Sequence, residues 1–151
     1  MGEAYSETEL AHMNEMLLDT GPLVALLDRS DPAHSRSREA LFPFRGQLWT
    51  TCAVITEAMH LLRRDFRGPR RLVEFIASSN LRIEQCSALP DLEQAVLLIE
   101  KYADTPMDFA DATLILLADV RKTRQLCTLD RRGFTTFRAL DGKAFTLIPS
   151  A

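Results

Sequence analysis

Short apolar runs of strand length alternate along this chain with longer segments of helical spacing, and that alternation restricts the fold more than any other feature. The run "EMLLD" (15–19) leads into "GPLVALLD" (21–28), whose apolar positions recur at helical spacing behind an early proline. Asp31 then Pro32 begins a second expected helix over 32–41, with proline at its first position. "QLWTT" (47–51) reads as a strand, and "AVITEAMHLLRR" (53–64) as a helix with Val54, Ala58, Leu61 and Leu62 on one side. A helix restarts in "RGPRRLVEFIAS" (67–78) after Gly68 and Pro69, and "LRIEQC" (81–86) alternates as a strand. Pro90 opens a helix over 91–103, and the next runs from about Met107 to Arg121. Strands follow in "RQLCTLD" (124–130) and "KAFTLIPS" (143–150), separated by a turn and a single helical turn in "RRGFTTFR" (131–138). Strands alternating with helices predict an α/β domain with a mostly parallel central sheet and helices on both faces.

The 151 residues suffice for one domain, and an apolar fraction of 46% supplies a core. Residues 1–14, "MGEAYSETELAHMN", are polar and are read as a leader outside that core, with a second Met at 13 marking an upstream start or an appended extension. The domain is then 15–151. The net charge of −3 gives no overall basic field, so any nucleic-acid contact rests on a local basic patch. Cys52, Cys86 and Cys127 form no paired motif, and His12, His34 and His60 have no metal-ligand spacing. Buried free thiols in a reducing compartment are expected. No apolar stretch has bilayer-spanning length and no secretory signal is visible, which points to the cytoplasm and away from the membrane. The lack of a glycine-rich phosphate loop disfavours a nucleotide-binding domain.

The acids fall at the ends of the expected strands. In a parallel sheet every strand C-terminus lies on one edge, where ligands bind, and each crossover helix starts there. Asp19 closes the first strand, with Thr20 beside it. Glu57 lies one or two turns into the helix after "QLWTT", and Asp130 ends "RQLCTLD" after Thr128. Asp108 and Asp111 open the helix that feeds that strand. Clustered carboxylates repel one another, so they must take up protons or cations; hard divalent ions, Mg²⁺ or Mn²⁺, are the natural counter-charge and can activate water for phosphodiester cleavage. Each acid has a plainer reading on its own: Asp108 and Asp19 as helix caps, Asp130 as a turn residue, Glu57 as a solvated helix residue. Their joint pattern carries the metal-site expectation.

Four motifs, "LLDTGPLVALLD", "TTCAVITEAMHLL", "MDFADATLILLADV" and "LCTLDRRGF", in this order and spacing, resemble PIN-domain ribonucleases, above all the VapC-type toxins of bacterial toxin–antitoxin pairs. The resemblance runs from about Met16 to Pro149. It implies a three-layer α/β/α sandwich and Mg²⁺-dependent endonucleolytic cleavage of RNA by metal-activated water. It also implies a homodimer and inhibition by a cognate antitoxin. It places the family's metal-binding and catalytic acids on Asp19, Glu57, Asp111 and Asp130, with Asp108 an additional acid and the hydroxyls of Thr20 and Thr128 orienting the ligands. Arg131 and Arg132, beside the rim, and Arg63 and Arg64, in the five-arginine stretch "RRDFRGPRR" (63–71), are candidates for RNA phosphate contacts. Trp49 and Phe109 are expected in the core. A PIN-like nuclease or phosphatase acting on DNA or phosphate esters could use the same acids.

Overall fold

The structure is a computed structural model and describes residues 14–150. Its centre is a five-stranded sheet in the order β3-β2-β1-β4-β5, formed by β1 (Glu15–Leu18), β2 (Gln47–Thr51), β3 (Arg82–Glu84), β4 (Gln125–Cys127) and β5 (Thr146–Ile148). Every pairing between them is parallel. β1 lies in the middle, and each of its residues is buried. A fully buried strand needs apolar side chains on both faces, which is why "EMLL" reads as a continuous run instead of alternating.

Seven helices link the strands among the described residues: α1 (Thr20–Leu27), α2 (His34–Leu41), α3 (Cys52–Leu62), α4 (Gly68–Ser79), α5 (Leu89–Lys101), α6 (Phe109–Arg121) and the single turn α7 (Arg131–Phe134). α1 to α4 pack on one another, α5 packs along α6, and α6 lies against β1 and β2. The result is the expected three-layer α/β/α sandwich. α6 is its most buried helix: Ala110 and the stretch from Ala112 to Ala118 are all buried. Leu17, Leu18, Leu23, Leu114, Leu117 and Leu126 form the shared core.

The boundaries differ from expectation where a side chain or a backbone turn decides them. α2 starts at His34, two residues after Pro32, because the Asp31 carboxylate accepts from Ala33 N at 2.8 Å and holds the preceding residues in a turn. β3 is only three residues long, and Cys86, at φ 49°, turns the chain out of line with it. β5 covers only Thr146–Ile148, while Ala144 bridges antiparallel to Arg138. α4 begins on Gly68 itself: a Cβ there would lie 1.9 Å from Leu62 O, so only glycine permits the tight α3–α4 junction. Of the leader read over 1–14, residues 1–13 lie outside the described residues. Asn14 is tied to the sheet, accepting from Gln47 N at 3.0 Å and from Gln125 Nε2 at 3.1 Å.

One buried ion pair clamps the edge of the sheet opposite the acids. Glu15, 5% exposed, receives Arg121 Nε at 3.0 Å together with a second guanidinium contact, and the same guanidinium stacks on Trp49 at 4.2 Å. Trp49 is thus half-buried beneath a cation. Arg121→Ala removes a charge partner of Glu15 together with the cation over Trp49, and should cost about 2 kcal/mol in urea unfolding followed by the fluorescence of Trp49. A cost near zero would show that Glu15 does not depend on this partner.

Candidate metal centre at the switch point of the sheet

From β1 the chain proceeds in one direction to β2 and β3, and later to β4 and β5 on the other side. At such a reversal the flanking loops part and leave a crevice beyond the strand ends. Asp19 directly follows β1 there and Thr128 directly follows β4. Leu18 pairs with Cys127, so Asp19 and Thr128 come next in register. Asp19 N–H donates to Cys127 O at 3.0 Å, and the Thr128 hydroxyl donates to Asp19 Oδ2 at 2.7 Å. The other carboxylate oxygen of Asp19 accepts from Thr20 N at 2.7 Å, at the start of α1. Asp19 is therefore both helix cap and buried anion.

Thr20 continues the network outward. Its hydroxyl donates to Glu57 Oε2 at 2.9 Å, which fixes a carboxylate two turns into α3 against the end of β1. Asp108 and Asp111 arrive on α6 as a reciprocal capping box: Asp111 N donates to Asp108 Oδ1 at 2.8 Å, and Asp108 N donates to Asp111 Oδ2 at 3.1 Å. α6 is held to the sheet below this turn by two buried hydroxyls. Thr113 gives its proton to Ala110 O at 2.7 Å, so Thr51 donates to Thr113 Oγ1 at 2.8 Å. The sequence reading did not single out Thr51 or Thr113; a hydroxyl inside the otherwise apolar run "ATLILLA" was the available signal.

Electrostatics shows which acids share the crevice. The pKa of Asp19 rises from 3.8 to about 6, chiefly because burial strips its hydration, with the charges of Glu57 and Asp108 adding to the rise and the bonds from Thr128 and Thr20 opposing it. Asp111 is pushed well above the usual carboxylate range, again first by burial and then by the charges of Asp108 and Asp19. Asp19, Glu57, Asp108 and Asp111 thus form one repulsive group. Asp130 is placed differently. Its exposed carboxylate caps α7 by accepting from Gly133 N at 3.0 Å, and it reaches Asp19 only through its backbone N–H, which donates to Thr128 Oγ1 at 3.0 Å. Arg131 Nη1 is bonded to Pro149 O at 2.8 Å, whereas Arg132 is exposed beside the rim. Arg63 and Arg64 follow the far end of α3, about 15 Å along the helix from the rim. Phe109, expected in the core, is 41% exposed at the mouth of the site. Cys86 and Cys127 are buried free thiols pushed up to about 11 and about 12 by burial, while Cys52 is half-buried.

No three Asp, Glu, His or Cys side chains among the described residues close around a single point as a metal cage would. The all-oxygen donor set of Asp19, Glu57, Asp108 and Asp111 is of the kind that hard divalent ions take, and a buried anion among like charges gains most from a cation.

The PIN domain matches residues 16–143 of the chain. Ribonuclease VapC26 of Mycobacterium tuberculosis is 32% identical over 136 residues, covering 89% of this chain and all of the relative. Two solved structures share the fold. One is the M. tuberculosis VapC20, a sarcin–ricin loop cleaving toxin, with TM-score 0.63 and 23% identity over 74% of this chain and 86% of that one. The other is a toxin–antitoxin complex from Klebsiella pneumoniae, with TM-score 0.62 and 20% identity over 82% of this chain and 93% of that one. The chain belongs to the PIN-domain family, and within it to the VapC-type ribonucleases.

The raised carboxylates set a pH dependence. A carboxyl group whose pKa is higher folded than unfolded gives stability that is complete below the unfolded value of 3.8 and is lost as pH rises through the folded value of about 6. Without divalent ions, the melting temperature should fall between these pH values. Millimolar Mg²⁺ should offset the fall, and Asp19→Asn should flatten it. A calorimetric series in which metal-free wild type and Asp19→Asn show the same pH dependence across this window would contradict the assignment.

Proposed function

We propose that this chain is a Mg²⁺-dependent endoribonuclease and the toxin of a toxin–antitoxin pair. One observation carries the reading. The buried Asp19 is fixed from two sides by Thr128 and Thr20, Thr20 is bonded in turn to Glu57, and the charges of Glu57 and Asp108 bear on the same carboxylate. Asp19 and Asp111 would hold the ion, with Glu57 and Asp108 completing its surroundings directly or through water and Asp130 acting from the rim through water. Bound there, a divalent ion neutralises phosphate charge and acidifies water. The residues of the chain orient and hold. Thr128 and Thr20 keep the Asp19 oxygens aimed into the crevice. Thr20 sets the direction of the Glu57 carboxylate, which would take a proton from the water that attacks phosphorus as the bond from phosphorus to the leaving ribose oxygen breaks. Arg132, exposed at the rim, is available to an RNA phosphate.

Other surfaces suit the expected partners. A groove of about 1020 Å³ lined by Met59, Phe66, Arg67, Pro69, Arg70 and Val73 combines apolar side chains with cations, which suits an acidic amphipathic segment of an antitoxin. Leu89, Leu92, Val96 and Leu97 leave an apolar stripe exposed on α5, which suits a homodimer. No helix among the described residues is long and apolar enough to cross a membrane, and the free thiols accord with action in the reducing cytoplasm.

The test is cleavage of single-stranded RNA, with single-stranded DNA and a chromogenic phosphate ester as controls, in Mg²⁺ and in chelator. RNA alone should be cut, and only with the ion. Asp19→Asn should abolish cleavage while the circular dichroism spectrum stays unchanged. Thr128→Val should lower activity about 10- to 100-fold by releasing the Asp19 carboxylate. Full activity of Asp19→Asn in Mg²⁺ would overturn the reading.

A further inference from the structure

Beside the carboxylates lies a second groove, of about 700 Å³, between α3, the loop after β3 and the first turn of α6. Glu57 and Asp108, whose charges bear on Asp19, are among its lining residues, which sets it next to the carboxylate group. Ala53, Phe109, Ala110 and Leu92 give it apolar walls, and Thr56, His60, Gln85 and Ser87 add polar groups. α6 buries Ala110 and the stretch from Ala112 to Ala118 but leaves Phe109 41% exposed here, one residue after Asp108. An exposed aromatic face, apolar walls and a few amide and hydroxyl groups are what a single unstacked base requires. Its faces seek an aromatic ring, and its edge seeks paired donors and acceptors. The volume lies in the range of small-ligand sites, and the carboxylate end fixes which part of an RNA chain would lie nearby.

We propose that this groove seats the unpaired base next to the scissile phosphate, with Phe109 as its stacking platform and Gln85 and Ser87 reading its edge. The proposal deepens the ribonuclease reading and rests on it. Gln85 is suited to reading because its side-chain amide both donates and accepts. It reaches the groove because the chain leaves β3 at Glu84 and is turned at Cys86 by the positive φ there. The preferred substrate is then RNA with a flipped-out or single-stranded base at the cut. Base identity is sensed on the Glu57–Asp108 side of the site, away from Asp130 and Arg132.

The probe is a set of short single-stranded RNAs carrying 2-aminopurine at successive positions, titrated against the full chain in the Asp19→Asn background so that binding is read without cleavage. Fluorescence should change at one position only, where the base leaves its neighbours for the groove. Phe109→Ala should abolish that position-specific change and weaken binding about tenfold, and Phe109→Trp should retain the affinity and the position. Gln85→Ala should leave the position of the change in place and level the affinities for oligonucleotides that differ only in that base. An undiminished position-specific change and affinity in Phe109→Ala would overturn the proposal. So would a Phe109→Ala variant that loses affinity for an antitoxin peptide while binding RNA normally. A position-specific fluorescence change with a wild-type protein that never cleaves RNA would instead leave the groove assignment standing and remove the ribonuclease reading.

Discussion

The bond from the Thr128 hydroxyl to the Asp19 carboxylate joins the ends of β1 and β4 across the point where the sheet reverses its order. A carboxylate buried at the end of the central strand would, without partners, be among the costliest groups in the molecule. Two short bonds, from Thr128 and from Thr20 N, fix both its oxygens but do not remove the cost, since its pKa still rises to about 6. The remaining strain is electrostatic. It comes from the lost hydration and from the neighbouring acids on α3 and α6, and a cation relieves both.

Each supporting element serves that arrangement. The parallel sheet brings β1, β2 and β4 to one rim, so residues far apart in sequence become neighbours. The buried Thr51–Thr113 contact holds the α6 N-terminus down, and the capping box beyond it sets Asp108 against Asp111 with both backbone N–H groups satisfied. Capping and metal binding need not exclude each other: the capping bonds fix the Asp108 and Asp111 carboxylates in the free protein, and the proposed ion would draw on the same oxygens.

The sheet, the helix order and the convergence of Asp19, Glu57, Asp108 and Asp111 were legible because they follow from apolar periodicity and from where a right-handed crossover starts. Asp130 was legible only as to place. Its position three residues beyond the β4–β5 pairing, and its turn back toward Gly133, depend on how "LDRRG" closes α7, which spacing does not encode. Arg63 and Arg64 were read as phosphate contacts without a place relative to the rim, because charge next to a motif in sequence does not reveal how far a helix carries it; the structure sets them past the far end of α3. Phe109 misled for a related reason. An aromatic within an apolar helix reads as core, yet the first turn of α6 extends past the layer that would cover it. The groove it lines is built from three separate segments and had no signature in any one of them.

The central claim is that Asp19 and Asp111 share a divalent ion. Anomalous diffraction from crystals grown with Mn²⁺ in place of Mg²⁺ measures this directly. One peak at about 2.1 Å from carboxylate oxygens of both residues is the expected result. A peak bound elsewhere, or density in which Asp19 and Asp111 hold no common ion, would contradict the account.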